Sequence, residues 1–236
     1  MTAIEQTTSN PGVGPAPGSA VWAAVDQGAR QYRADATSCR RGRYRTAVAV
    51  ADGVGDSLDA AWSGQVAADT AARAGQAVSA PEALAEARDV VASVDPAGAG
   101  DSALVVAVGE CATGWDIAWV GDCRAWTWRN GTLEQVTTDH TVAEGMRQLG
   151  EGAPPPNAEH ILTSSLRCRL VPDGTVTLGP GPLLLTSDGV HKSLGRSEIE
   201  AVLSADPADP CEAMLAAARL AGSRDNAAAL LITPVW

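Results

Sequence analysis

The sequence of 236 residues contains no phenylalanine, so aliphatic side chains and its seven tryptophans have to fill the core. It also lacks any run of about 18 consecutive apolar residues, which excludes a transmembrane helix. The N-terminal segment has neither the basic region nor the apolar region of a secretory signal. We therefore expect a protein that neither crosses nor binds a membrane.

Cysteine usage excludes two further classes of protein. The five cysteines are odd in number, and no C-x-x-C pair occurs. A disulfide framework and a thiolate zinc site are therefore both unexpected. Free thiols favour a reducing compartment, so the predicted location is the cytoplasm.

Charge and motif content narrow the function. The net charge is -11, and the basic residues are scattered, which argues against nucleic-acid binding. Neither a phosphate-binding G-x-x-x-x-G-K-[ST] loop nor a G-x-S-x-G nucleophile motif is present. The three histidines, His140, His160 and His191, show no metal-ligand spacing.

Apolar periodicity predicts an α+β fold. Residues 1–20 are rich in Thr, Ser, Pro and Gly and predict a disordered lead-in, whereas 21–236 form one domain. Strands are predicted at Val21–Val25, Arg45–Ala51, Ser102–Val108, Trp115–Trp119, Trp126–Trp128, Thr132–Val136, Leu183–Ser187 and Ala227–Thr233. Helices are predicted after Asp56, after Pro81, at Ser197–Ser204 and at Pro210–Ala221.

Two segments have a more specific interpretation. Period-2 patterning around Gly121-Asp122 and a hairpin signal at Asn130-Gly131 predict an antiparallel meander over residues 102–136. A surface flap is predicted at residues 139–170. Within it, the stretch 141–156 is weakly patterned and ends in three prolines.

Four aspartates sit at the ends of apolar strands: Asp52, Asp122, Asp188 and Asp225. Short carboxylates at strand ends can point into one cleft, and an adjacent glycine permits close backbone approach. Carboxylate and carbonyl oxygens suit Mg²⁺ or Mn²⁺, which would also relieve the repulsion between the acids. A single Asp-Gly pair is more often a simple turn, so a structural domain whose acids only cap turns stays open.

Seven motifs in order resemble the metal-dependent protein phosphatases, the type 2C serine/threonine family. The resemblance spans residues 21–233 and points to the bacterial branch. The motifs are GARQYRADA, VADGVGD, GDSALVVAV, WVGDCRAW, VTTDHT, LLLTSDGV and SRDNAAALLI. The resemblance implies a four-layer α-β-β-α sandwich with two mainly antiparallel sheets flanked by helix pairs.

The same resemblance implies a role for each matched residue. Asp52 would bridge two Mn²⁺ or Mg²⁺ ions, with the Gly53 carbonyl, Asp188 and Asp225 completing their ligands. Arg30 would hold the substrate phosphate, and Asp35 would order water. Asp122 would belong to a third, weaker metal site. The implied reaction is hydrolysis of phosphoserine or phosphothreonine in proteins by a metal-bridging water, with signalling proteins as substrates and a monomeric enzyme.

The sequence also departs from the family pattern. Ala34 stands where an acid usually precedes the Asp35 position, and Val54 stands where some members carry a histidine. Lys192 replaces an aspartate associated with the third metal site, so we expect that site to be weak. These changes motivate the alternative function, a degenerate phosphatase fold that binds a phosphorylated partner without turnover.

Overall fold

The computed structural model describes residues 19–42 and 45–234. Residues 1–18 of the predicted disordered lead-in lie outside the described residues. The boundary of that lead-in is wrong by two residues, because the first strand begins at Ser19 and pairs there with the last strand. No helix in the described part of the chain is long and apolar enough to cross a membrane.

Ten strands form two five-stranded sheets in which every described pair is antiparallel. The first sheet has the order β1-β10-β9-β6-β7, with bounds Ser19–Asp26, Ala227–Pro234, Leu183–Thr186, Arg124–Arg129 and Thr132–Gln135. The second has the order β2-β3-β4-β5-β8, with bounds Asp35–Arg41, Thr46–Gly53, Ser102–Glu110, Gly114–Val120 and Gly174–Leu178.

Helices cover the outer face of each sheet. Helices α1 (Leu58–Ala74) and α2 (Ala80–Val94) pack on the second sheet, while α4 (Asp188–His191), α5 (Arg196–Ser204) and α6 (Pro210–Leu220) pack on the first. This layering buries three apolar clusters, one under each helical layer and one between the sheets. The predicted four-layer sandwich is therefore confirmed.

The predicted meander over residues 102–136 is wrong. β4 and β5 pair in the second sheet, but β6 and β7 belong to the first. Gly121, at φ +89°, turns the chain from one sheet to the other, and a Cβ there would collide with Ala103. Alternating apolar residues look the same in either sheet, because both sheets bury a face against the layer between them.

Several elements of the structure were missing from the sequence prediction. β2 and β8 are edge strands, where half-exposed polar residues weaken the apolar alternation. The predicted flap contains helix α3 (Val142–Leu149) and a 3₁₀ turn at Pro156–His160. Thr141 caps α3 by accepting a hydrogen bond from the Glu144 amide at 3.3 Å, and Gly150 ends it at φ +70°.

Helix α1 forms where predicted, but two of its large apolar residues do not face the core. Leu58 and Trp62 are 67% and 37% exposed, which corrects the expectation that the tryptophans pack inside. The buried face instead consists of small residues, including Gly64, Ala67, Ala68 and Ala71. Small side chains bring α1 close to the sheet, and Gly64 lies against the backbone of Ala34, next to the predicted site.

We expect Gly64→Ala to destabilise the fold by about 1–3 kcal/mol, because the added methyl group would collide with the Ala34 carbonyl oxygen. The matched control is Gly145→Ala in α3, where a Cβ meets nothing within 4 Å. That change should be neutral or stabilising by up to about 1 kcal/mol. Urea unfolding measures both, and equal effects of the two substitutions would contradict the close packing of α1.

Candidate metal centre

The predicted site residues lie at one edge of the sandwich, where strands of both sheets end. Asp52 is the second-to-last residue of β3, and Asp122 lies in the turn between β5 and β6. Asp188 opens α4 just after β9, and Asp225 comes just before β10. Antiparallel pairing places Asp35, the first residue of β2, directly opposite Asp52.

Asp35 is the most deeply buried acid of the site, with 3% of its surface exposed. Burial raises the pKa of its carboxyl group to about 8, although the hydrogen bond from Ser187 Oγ to Oδ2, at 2.6 Å, works in the opposite direction. Its Oδ1 atom is buried and accepts no hydrogen bond from the described residues. A buried oxygen without a donor is a position at which a cation or an ordered water is expected.

Asp52 lies among the other acids of the site and is partly buried. Its pKa is raised well above the usual range, first by burial and then by the charges of Asp35, Asp188 and Asp122. A carboxylate surrounded by other carboxylates is costly to ionise. The cleft therefore contains more negative charge than its own basic residues neutralise.

Lys192 lies between two of these acids. Its Nζ atom is 2.7 Å from Asp122 Oδ2 and 2.9 Å from Asp188 Oδ2. Although burial opposes protonation, the two carboxylates raise the pKa of Lys192 above its ordinary value. The pKa of Asp122 rises to about 6 because of burial and the charge of Asp188, while Lys192 acts to lower it.

Arg30 pairs with Asp225 on the more open side of the cleft. The guanidinium Nη2 atom is 2.7 Å from Asp225 Oδ2, and both side chains are 40% exposed. Asp56 positions the loop that carries Arg30, because its carboxylate accepts hydrogen bonds from the amides of Gln31 and Tyr32 at 3.0 and 2.9 Å.

Two residues that position the acids were missed in the sequence. Asn226 is buried, accepts a hydrogen bond from the Ala34 amide at 2.7 Å and donates one to the Gln27 carbonyl at 2.7 Å. It thereby ties the segment before Asp35 to the strand after Asp225. Ser187 accepts a hydrogen bond from the Ala228 amide at 2.8 Å while donating to Asp35. Their only signal in the sequence was a short polar residue beside a motif aspartate.

Gly53 is required by packing as well as by its predicted role. Its amide donates to the Ala34 carbonyl at 3.1 Å, and a Cβ at this position would collide with the carbonyl oxygen of Ala60 in α1. A side chain here would push α1 away from the cleft. The use of its carbonyl as a metal ligand stays a prediction.

Asp188 and Asp225 line a cleft of about 540 Å³, whose walls also include Arg30 and Lys192. The flap contributes His160 to this wall. A neighbouring cavity of about 610 Å³ shares His160 and Lys192 and extends under α3. The base of the flap is fixed by Arg124, which donates to both carboxylate oxygens of Asp139 at 2.9 and 2.7 Å.

The donor chemistry of the cleft fits hard divalent cations. Within residues 19–42 and 45–234, no three His, Cys, Asp or Glu side chains are arranged so that they could hold a metal ion as they stand. Instead, Asp122 and Asp188 form salt bridges with Lys192, and Asp225 forms one with Arg30. The buried oxygen of Asp35 and the excess of carboxylates nevertheless suit Mg²⁺ or Mn²⁺.

All five cysteines lie among the described residues and are free, as expected from their odd number. Cys111, Cys123 and Cys211 are buried, Cys39 is partly buried, and Cys168 is exposed. Burial raises the pKa of the Cys123 thiol well above its usual value, and the aspartates of the cleft add to this effect. A protonated thiol is a poor nucleophile.

The fold is that of the bacterial serine/threonine phosphatases of the metal-dependent type 2C family, as the sequence motifs indicated. The serine/threonine phosphatase Stp1 of Staphylococcus aureus superposes with a TM-score of 0.80 at 19% identity, over 92% of this chain and 95% of that one. The catalytic domain of the phosphatase PstP, solved with two manganese ions, superposes with a TM-score of 0.74 at 20% identity, over 91% and 97%.

A curated relative is found in sequence as well. The chain is 32% identical over 126 residues to the protein phosphatase PhpP of Streptococcus pneumoniae, a match that covers 49% of this chain and 51% of that protein. The chain thus spans about half the length of the curated relatives it matches. No protein-family model matches the chain.

We expect Asp52→Asn to stabilise the metal-free protein. A carboxyl group whose pKa is higher in the folded than in the unfolded state costs stability once it is ionised, so removing the charge removes that cost at neutral pH. A gain of about 1 kcal/mol would raise Tm by roughly 2–4 °C.

Thermal unfolding in excess chelator measures this effect, with Asp89→Asn on the exposed face of α2 as the control. The control should leave Tm unchanged. A lower Tm for Asp52→Asn than for the wild type would contradict the interpretation that Asp52 is destabilised by its acidic neighbours.

Proposed function

We propose that this chain is a metal-dependent protein serine/threonine phosphatase. The observation that carries the proposal is the gathering of Asp35, Asp52, Asp122 and Asp188 at one edge of the sandwich, with Asp225 and Arg30 on the wall of the same cleft. An arrangement with this excess of negative charge is costly unless cations complete it. The fold shared with bacterial serine/threonine phosphatases supports the same conclusion.

In this proposal, Asp52, Asp188, Asp225 and the Gly53 carbonyl hold two Mn²⁺ or Mg²⁺ ions. When bound, such a pair supplies a bridging water acidic enough to attack phosphorus near neutral pH, together with positive charge for the phosphoryl oxygens. Asp225 would have to exchange its contact with Arg30 for a metal ion. PstP, whose structure contains two manganese ions, supports a pair of sites, but the choice between Mn²⁺ and Mg²⁺ rests on the donor chemistry alone.

Arg30 would bind the substrate phosphate. Its guanidinium lies on the open side of the cleft, is partly exposed, and can donate two parallel hydrogen bonds to phosphoryl oxygens. Asp225 would then serve as a metal ligand and Arg30 as a ligand of the phosphate, in place of the salt bridge between them. Asp35 would accept a hydrogen bond from water through its unpaired Oδ1 and so orient it.

The substrates would be proteins phosphorylated on serine or threonine. PhpP is named a protein phosphatase, and the cleft is open enough for a side chain on a protein surface to enter. The acidic net charge of -11 argues against nucleic acid as a ligand. A monomer in the cytoplasm stays the predicted state.

Hydrolysis of an aryl phosphate or a phosphopeptide should require Mn²⁺ or Mg²⁺ and stop with chelator. Asp188→Asn should lower kcat by at least about 10²–10³-fold, the scale for losing one electrostatic element of a preorganised site. Asp89→Asn is the control and should retain full activity. Activity that survives both the chelator and the Asp188 change would falsify the proposal.

Arg30→Ala should act mainly on substrate binding. Loss of charge-assisted hydrogen bonds of about 1.5–3 kcal/mol lowers kcat/KM roughly 10- to 100-fold, chiefly through KM. Because Arg30 competes for Asp225, the affinity for Mn²⁺ should stay the same or rise. Arg33→Ala, at an exposed position three residues further along, is the control. A normal KM with weakened Mn²⁺ binding would assign Arg30 a structural role instead.

A degenerate phosphatase fold is the second candidate function. It is favoured by the salt bridges of Asp122 and Asp188 with Lys192 and of Asp225 with Arg30, because the chain itself supplies cationic partners for three of the acids. Calorimetry with a phosphopeptide at saturating Mn²⁺ distinguishes the two. Binding without turnover supports the degenerate fold, whereas turnover supports the phosphatase.

A further inference from the structure

The only lysine of the chain lies in the acidic cleft. Lys and Arg together number 17, and every one of them except Lys192 is arginine. Lys192 follows α4 and has 17% of its side chain exposed. Its ammonium group is the one compact, non-planar cationic group that the side chains of this protein offer.

The contacts of Lys192 are not those of an ordinary helix ion pair. A spacing of four residues accounts for the contact with Asp188. Asp122, however, comes from the turn between β5 and β6, 70 residues earlier, and only 6% of its side chain is exposed. One ammonium thus joins two largely buried carboxylates from separate parts of the fold, at 2.7 and 2.9 Å.

That geometry corresponds to a cation with oxygen ligands from two segments. Nζ contacts one oxygen of each carboxylate, and in both residues that oxygen is Oδ2. The second oxygen of Asp188 therefore stays available for the ion that the proposed function places between Asp188 and Asp52. An ammonium reaches both carboxylates through a single atom, whereas an arginine would have to fit a larger planar group between them.

We infer that the Lys192 ammonium is a built-in cation that occupies the position between Asp122 and Asp188, so that this cleft accepts one divalent ion fewer than its carboxylates could ligate. The inference rests on the proposed function for the chemistry of the cleft. It assigns Asp122 to Lys192 rather than to a metal. It also makes Lys192 a positioning residue, which supplies a fixed positive charge that does not depend on the concentration of free metal.

The test is the number of Mn²⁺ ions bound, measured by electron paramagnetic resonance of free Mn²⁺ during titration of the purified chain. Lys192→Met keeps the length of the side chain and removes its charge, and it should bind one more Mn²⁺ per chain than the wild type. Lys192→Arg keeps the charge and should bind the wild-type number. The double variant Asp122→Asn, Lys192→Met should return to the wild-type number, because it removes a ligand of the added ion.

A second measurement uses the wild-type protein and does not depend on whether a variant folds. Labelling with ¹⁵N-lysine gives a single side-chain ammonium signal, since the chain has one lysine. A resident ammonium should keep a slowly exchanging signal at saturating Mg²⁺. Loss of that signal to solvent exchange when Mg²⁺ binds would show that the ion displaces Lys192, and it would overturn the inference.

The two proposals fail in different ways. An unchanged Mn²⁺ number in Lys192→Met overturns the inference about Lys192, whether or not the wild type is active. A wild type that binds Mn²⁺ without hydrolysing any phosphopeptide overturns the proposed function. An additional Mn²⁺ in Lys192→Met would still support the role of Lys192 in that case.

Discussion

Repulsion between carboxylates is the constraint on which the rest of this structure depends. Asp35, Asp52, Asp122 and Asp188 are close enough for each to disfavour the ionisation of another, and burial strengthens the effect. Such an arrangement persists only if the remaining structure holds it in place. The free energy for this comes from three buried apolar layers that have no direct part in the chemistry.

The two sheets hold the acids through the ends of their strands. Each acid lies at the end of a strand or close to it, and the buried residues of that strand fix its position. Close approach of α1, which small residues and Gly53 permit, closes one side of the cleft. Asn226 and Ser187 then connect the ends of strands from different sheets. The site is therefore rigid where its carboxylates are fixed and open where a substrate would enter.

Two basic residues, Lys192 and Arg30, partly neutralise the negative charge of the cleft. Lys192 is largely buried between two acids, whereas Arg30 is partly exposed and pairs with one. A buried cation held by two anions is hard to remove, and an exposed pair contributes little stability. Lys192 is therefore the more firmly held charge, whereas Arg30 is the one that would exchange its carboxylate for phosphate in the proposed function.

The sequence by itself determined the acids and the layers. Apolar runs ending in Asp-Gly located Asp52 and Asp188, and motif order predicted the four-layer sandwich, because both signals are local along the chain. Only the tertiary structure decided that β5 and β6 lie in different sheets, that Leu58 and Trp62 face solvent, and that Asn226 joins two distant segments. It also decided that Lys192 contacts Asp122 as well as Asp188. These features depend on residues far apart in the chain, and apolar spacing carries no information about which sheet or partner a residue meets.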